Sequence, residues 1–91
     1  MIIAKVIGNV WATRKEDTLN GLKLMVVRRI DPAGNAERDS FVAADCVGAG
    51  IGERVLVVTG SSARKALRSP GIPVDAAIIG IIDEVEVRTE A

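Results

Sequence analysis

The stretch VGAGIGERVLVVTGSSARKAL, Val47 to Leu67, decides how this chain folds. Glycines stand at positions 48, 50 and 52, a strongly apolar run follows at once, and Gly60-Ser61-Ser62 then opens a basic segment. A glycine-rich loop first suggests a nucleotide site. The dinucleotide fingerprint, however, needs a strand before the glycines, a helix directly after them and an acidic residue further on. Here a strand, Glu53 to Thr59, follows instead, and no Gly-Lys-Ser/Thr occurs to make a phosphate loop. The glycines therefore read as a tight connection between two strands, supplying positive φ or close backbone approach. The segment Ser61 to Ser69 reads as the one helix, about two turns long. Ser61 or Ser62 caps its start, Ala63, Ala66 and Leu67 form a narrow apolar face, and Ser69-Pro70-Gly71 stops it.

Working outward, the chain is β-rich. Ile2 to Thr13 alternates, with Ile3, Lys5, Ile7, Asn9 and Trp11 on one face and the small residues Ala4, Val6, Gly8, Val10 and Ala12 on the other. Gly8 inside a strand marks a bend. Arg14 to Gly21 is a polar hairpin loop ending in Asn-Gly. Leu22 to Ile30 is a second strand, on which Leu22, Leu24, Val26 and Ile30 share a face, Arg28 being the exception. Asp31 to Asn35 is a β-turn, with Pro suited to its second position. A third strand runs from about Asp39 to Cys46. The last segment, VDAAIIGIIDEVEVRTE, is β-rich around Gly80, and Asp83 to Val87 alternates well. Five strands, one short helix between the fourth and fifth, and glycines at two bends predict a mostly β fold, a small closed barrel. No repeat or linker interrupts it, so residues 1–91 read as a single domain.

Composition narrows the function. The chain has 91 residues, 48% of them hydrophobic, but only Trp11 and Phe41 are aromatic. A domain this small buries a modest share of its surface, and association is a common remedy. Twelve basic and twelve acidic residues give a formal net charge of zero, so no overall field draws the chain to nucleic acid or to an anionic membrane. No signal peptide stands at the N-terminus and no apolar run reaches the roughly 20 residues of a membrane helix. The single cysteine, Cys46, fits a reducing cytoplasm and reads as a buried structural thiol.

Chemistry is hard to find. The chain has no histidine, which removes the commonest general base and metal ligand. Ser61 and Ser62 have no base beside them in the pattern. Free N–H groups at the start of the helix can hold an anion, but serine capping is the commoner use of such a start. Carboxylates are scattered at Asp17, Asp45, Asp75, Asp83, Glu84 and Glu86, and Asp83 and Glu84, adjacent on a strand, point to opposite faces. No catalytic residue, cofactor or metal is expected. Small five-stranded barrels also bind single-stranded nucleic acid through aromatic platforms and basic grooves. This chain is poor in both, and Arg28 and Arg29 point to opposite faces.

Taken in order, AKVIGNVWAT, GLKLMVV, IDPAGN, AADCVGAGIGERVLVVTGSSAR and PVDAAIIGIIDEV resemble the EutN/CcmL-type vertex proteins of bacterial microcompartments. The resemblance runs from Ile3 to about Val87, and its most specific part is the ordered pair VGAGIGE and GSSAR followed by VDAAIIGIIDEV. Arg14 to Gly21 and Pro70 to Pro73 match the pattern poorly. The resemblance implies an OB-like five-stranded barrel. It implies a cytoplasmic shell protein that forms homopentamers closing the vertices of a polyhedral shell, with hexameric microcompartment shell proteins as partners and no cofactor. It also implies that Gly48, Ala49, Gly50, Gly60, Ser61, Ser62 and Arg64 lie at subunit contacts or a central opening. The alternative is an OB-like module for single-stranded nucleic acid.

Overall fold

Alternation of small apolar and polar residues builds the barrel from its first strand. In the computed structural model, which describes residues 1–13, 15–68 and 71–88, β1 (Ile2–Val10) turns Ala4 and Val6 inward and leaves Lys5 and Ile7 outside. β2 (Leu24–Ile30), β3 (Ala36–Asp45), β4 (Arg54–Thr59), α1 (Ser61–Ala66) and β5 (Ala76–Ile81) follow. The strands close into one barrel in the order β1-β2-β3-β5-β4. All neighbours are antiparallel except β3 and β5, which run parallel and share only the pairs Ala44–Ala77 and Asp45–Ile78. The expected mostly β fold, with five strands and a helix between the fourth and fifth, is what forms.

The composition has a direct cause in this geometry. A barrel of few strands has a narrow interior, and Ala4, Val6, Met25, Val27, Ala43, Ala49, Val55, Val57, Ala76 and Ile78 fill it. Phe41 packs only at its margin. A second, smaller cluster lies outside the sheet, where Ala63 and Leu67 of the helical segment cover Val58, Ala77 and Ile79. Both in-strand glycines mark irregular pairing. The β1–β2 register shifts between Val6 and Gly8, and Gly80 adjoins the β4–β5 shift at Leu56/Val57.

Several expected details change. On β2 the interior takes Met25 and Val27, and Leu24 and Val26 face outward. A strand with apolar residues on both faces does not declare its inner one. The N-cap of α1 is Gly60, at φ 64° and ψ −141°, with no side-chain cap; Ser61 and Ser62 are exposed in the first turn and Ala66 is exposed too. A left-handed φ at the cap suits glycine, and it shifts the helix start one residue upstream of the serines. Asp83 to Val87 is not a strand in this chain. Its ladder ends because Ile82 N–H donates to Arg54 C=O, while Gly52 and Glu53, just before β4, bond to Val6 of β1 instead. Arg14, the stop signal Ser69-Pro70 and the last three residues lie outside the described residues.

The turns are held by local carboxylates. Asn35 donates to Asp31 from its backbone N–H (2.9 Å) and its side chain (3.2 Å), which holds the Asp31 carboxyl below its ordinary range. Glu16 accepts from the Thr18 hydroxyl (2.6 Å) and backbone N–H (3.1 Å) at the 3₁₀ turn Asp17–Leu19, and those bonds, the hydroxyl first, lower its carboxyl likewise.

Candidate functional site

The glycine loop between β3 and β4 is organised by a carboxylate that the sequence does not single out. Asp45, the last residue of β3, has a side chain only 1% exposed. Val47 N–H (3.0 Å) and Gly48 N–H (3.1 Å) donate to its Oδ1, and Ala49 N–H donates to its Oδ2 at 2.9 Å. The Lys23 ammonium stands 3.8 Å from Oδ2 and donates to the Ala49 carbonyl at 3.1 Å. Wrapping three consecutive N–H groups around one carboxylate needs a left-handed residue, and Gly48 supplies it at φ 81°. Gly52, at φ 93°, turns the chain back so that its N–H reaches Val6 C=O at 2.8 Å. Gly50 has a different reason: its N–H donates to Glu53 Oε1 at 2.6 Å, and a Cβ there would meet that oxygen at 3.3 Å. The loop is thus a plug held on its own anions, with the N–H groups of Val47, Gly48, Ala49 and Gly50 turned to Asp45 and Glu53.

The seven residues expected at contacts or an opening do not form one site. Gly48, Ala49 and Gly50 lie before β4, and Gly60, Ser61, Ser62 and Arg64 lie after it. A six-residue strand separates the two sets by roughly 20 Å. Ala49 needs correction: it is fully buried in the barrel core, so its side chain has no surface to offer a neighbour. Ala49→Leu is therefore expected to overpack the plug and cost about 2 kcal/mol of subunit stability. A lowered denaturant midpoint with an unaltered assembly state checks it. The remaining six are accessible, Gly48, Gly60, Ser61 and Ser62 being exposed and Gly50 and Arg64 half-buried. A valine at Gly50 would disturb Glu53 within the same subunit, so Arg64 is the cleaner probe of a contact.

Cys46 is exposed, not buried as expected, because the chain leaves β3 there. Shielding of its sulfur and the adjacent Asp45 charge push the thiol above its ordinary range, which leaves it protonated and weakly nucleophilic near neutral pH. Among the described residues, no group of three or more Cys, Asp and Glu is arranged to hold a metal ion, and no helix is long and apolar enough to cross a membrane. Large apolar side chains are nonetheless on the surface: Trp11 (89% exposed), Ile51, Val42, Ile7 and Ile81. Ile7, Val42 and Ile81 stand on strands, Trp11 just past β1 and Ile51 in the glycine loop.

Residues 1–83 match the family model described as ethanolamine utilisation protein EutN/carboxysome. The carboxysome shell vertex protein CcmL of Synechococcus elongatus is 50% identical over 91 residues, covering all of this chain and 92% of the relative. The bacterial microcompartment shell vertex protein EutN of Escherichia coli K12 is 48% identical over 85 residues, covering 93% of this chain and 90% of the relative. The structure of GrpN, described as a pentameric microcompartment shell protein from Rhodospirillum rubrum, superimposes with a TM-score of 0.88 at 44% identity, covering 97% of this chain and 100% of that one.

Proposed function

This chain belongs to the EutN/carboxysome family, and from that premise we propose that it is a structural shell protein whose homopentamers cap the vertices of a polyhedral bacterial microcompartment in the cytoplasm. The observation that carries the reading is similarity along the whole chain, 50% over 91 residues, to a shell vertex protein. The work is geometric. Five wedge-like barrels close a ring through one repeated head-to-tail contact, and the rim of the ring docks on hexameric shell proteins. Chemistry on a substrate is not part of it: the chain has no histidine, and Ser61 and Ser62 are exposed on a helix end. The exposed glycine loop, at Gly48 and Gly50, and the start of the helix, at Gly60, Ser61, Ser62 and Arg64, sit at opposite ends of β4. They suit the two different sides of such a contact.

Native mass spectrometry at micromolar concentration tests the reading. The expected mass is five chains, and Arg64→Ala is expected to lower the five-chain fraction. A chain that stays monomeric on concentration overturns the proposal and favours the single-stranded nucleic-acid module, which predicts a salt-dependent shift with an oligonucleotide.

A further inference from the structure

Lys5 stands on the outward face of β1, and both of its cross-strand partners are cations: Arg28 on β2 and Arg54 on β4. Like charges directly opposite one another on neighbouring strands repel. Strands lie about 4.8 Å apart, so the three stems leave the barrel within about 10 Å of each other. None of the three has an ion-pair partner among the described residues, where the pairs are Lys23–Asp45 and Arg29–Glu37. Among the described residues, Arg54 donates from its side chain to the Asp83 carbonyl, at 3.3 Å, and Arg28 Nε is enclosed with no acceptor. Among the described residues, no carboxylate pairs with this row of positive charge.

An acidic groove at the helix end of the barrel carries the complement. In the order β1-β2-β3-β5-β4, the β3–β5 seam lies across from β1. That seam is two residue pairs long, so the first half of β3 splays from β5. A groove of about 720 Å³ opens at this end of the barrel, lined by Asp39 and Phe41 of β3 and by Asp75 just before β5, and also by Ile2 of β1, Arg29 of β2 and Thr59 of β4. Asp39 and Asp75 are exposed there, and neither has an ion pair among the described residues. Glu37, also in the groove, is already answered by Arg29 at 3.8 Å.

We propose that the row Arg28–Lys5–Arg54 of one subunit docks on the Asp39/Asp75 groove of the next, and that this charge pairing sets the direction of the ring. The proposal rests on the vertex reading and names the contact within it. A head-to-tail ring requires two different patches that fit each other on every copy, and here the patches are opposite in sign and stand at different levels of the barrel, the row at Arg54 where β4 starts and the groove at Thr59 where it ends. Each also adjoins one of the two residue sets above. Arg54 follows the glycine loop directly, and Asp75 C=O accepts from Gly60 N–H at 2.8 Å.

The test starts with the wild-type chain by native mass spectrometry and analytical ultracentrifugation. A wild type without five-chain rings overturns the vertex reading itself. Given rings, the double variants Lys5→Glu/Arg54→Glu and Asp39→Lys/Asp75→Lys should each raise the half-assembly concentration by about a hundredfold, since like charges then face each other across every contact. The chain carrying all four changes should recover most of the ring, because two of the three charges in the row again face opposite charges while Arg28 stays positive. Circular dichroism verifies that each variant is folded. Wild-type assembly needs no variant: its half-assembly concentration should rise about tenfold between 0.05 M and 1 M salt as screening sets in. Reversed chains that assemble like the wild type, a four-change chain that stays dissociated, or a ring indifferent to salt would each overturn the proposed contact and leave the pentamer standing.

Discussion

Asp45→Ala is expected to cost the subunit about 3 kcal/mol. A buried carboxylate that accepts from Val47, Gly48 and Ala49 at 2.9–3.1 Å makes charge-assisted bonds, each worth about 1.5–3 kcal/mol. Removing it leaves three donors without a partner in a segment that also seats Ala49 in the core. Part of the loss is recovered when water reaches Val47 and Gly48, which are exposed. At about 4–8 °C per kcal/mol for a domain of this size, the midpoint of thermal unfolding should fall by roughly 15 °C. Circular dichroism at two protein concentrations checks this and separates subunit stability from assembly. Asp45→Asn, which keeps the shape and one acceptor oxygen, should fall between the two. Lys23 is a minor partner: its side chain is 55% exposed and its nitrogen stands 3.8 Å from the carboxylate, so removing its charge should matter by well under 1 kcal/mol. A loss below about 0.5 kcal/mol for Asp45→Ala would mean that the glycines alone hold the loop.

Asp45 also shows where reading the chain residue by residue stops. The glycines at 48 and 52 are legible as conformational, because a run of them between two strands has few other uses. The anion they wrap is one acidic residue among twelve, and nothing in its spacing distinguishes it from Asp75 or Asp83. The strands were legible from alternation where one face is small and apolar, as in β1. They were ambiguous on β2, where both faces are apolar and only closure of the barrel selects Met25 and Val27. The cationic row is a third kind of failure. Arg28 and Arg29 do point to opposite faces, but Arg28 finds Lys5 and Arg54 across two strand boundaries, and such a patch exists only once pairing registers are set. The pattern at Asp83–Val87 is legible and yet unused within the chain, since the edge it would need turns away at Glu53. Local pattern thus reports which element forms. Closure decides what its outer face is for.

That closure can be attacked at one residue. Ile78→Ala is expected to be the most damaging conservative change in the chain, at about 4 kcal/mol, within the range of about 2–5 kcal/mol for such truncations. Ile78 is fully buried in the main core. It pairs with Val57 on one side and Asp45 on the other, so it is one of two residues of β5 that join both neighbouring strands, together with Ala77. Its carbonyl also accepts from Cys46 N–H at 3.1 Å. Truncation to alanine removes three carbons where the β3–β5 seam is only two pairs long, and β3 and β5 have few other contacts to absorb the void. Val58→Ala is the control. Val58 lies in the small outer cluster under α1, where the helix can settle onto the sheet, and about 1–2 kcal/mol is expected there. Chemical denaturation of both variants, at a concentration well above and well below that of half-assembly, gives the comparison. Because the acidic groove is bounded by this same seam, Ile78→Ala should also release the ring while the Asp39 and Asp75 charges remain in place. Val58→Ala should leave the ring intact. Equal losses for the two would mean that the seam contributes no more than the rest of the wall, and that the barrel closes elsewhere.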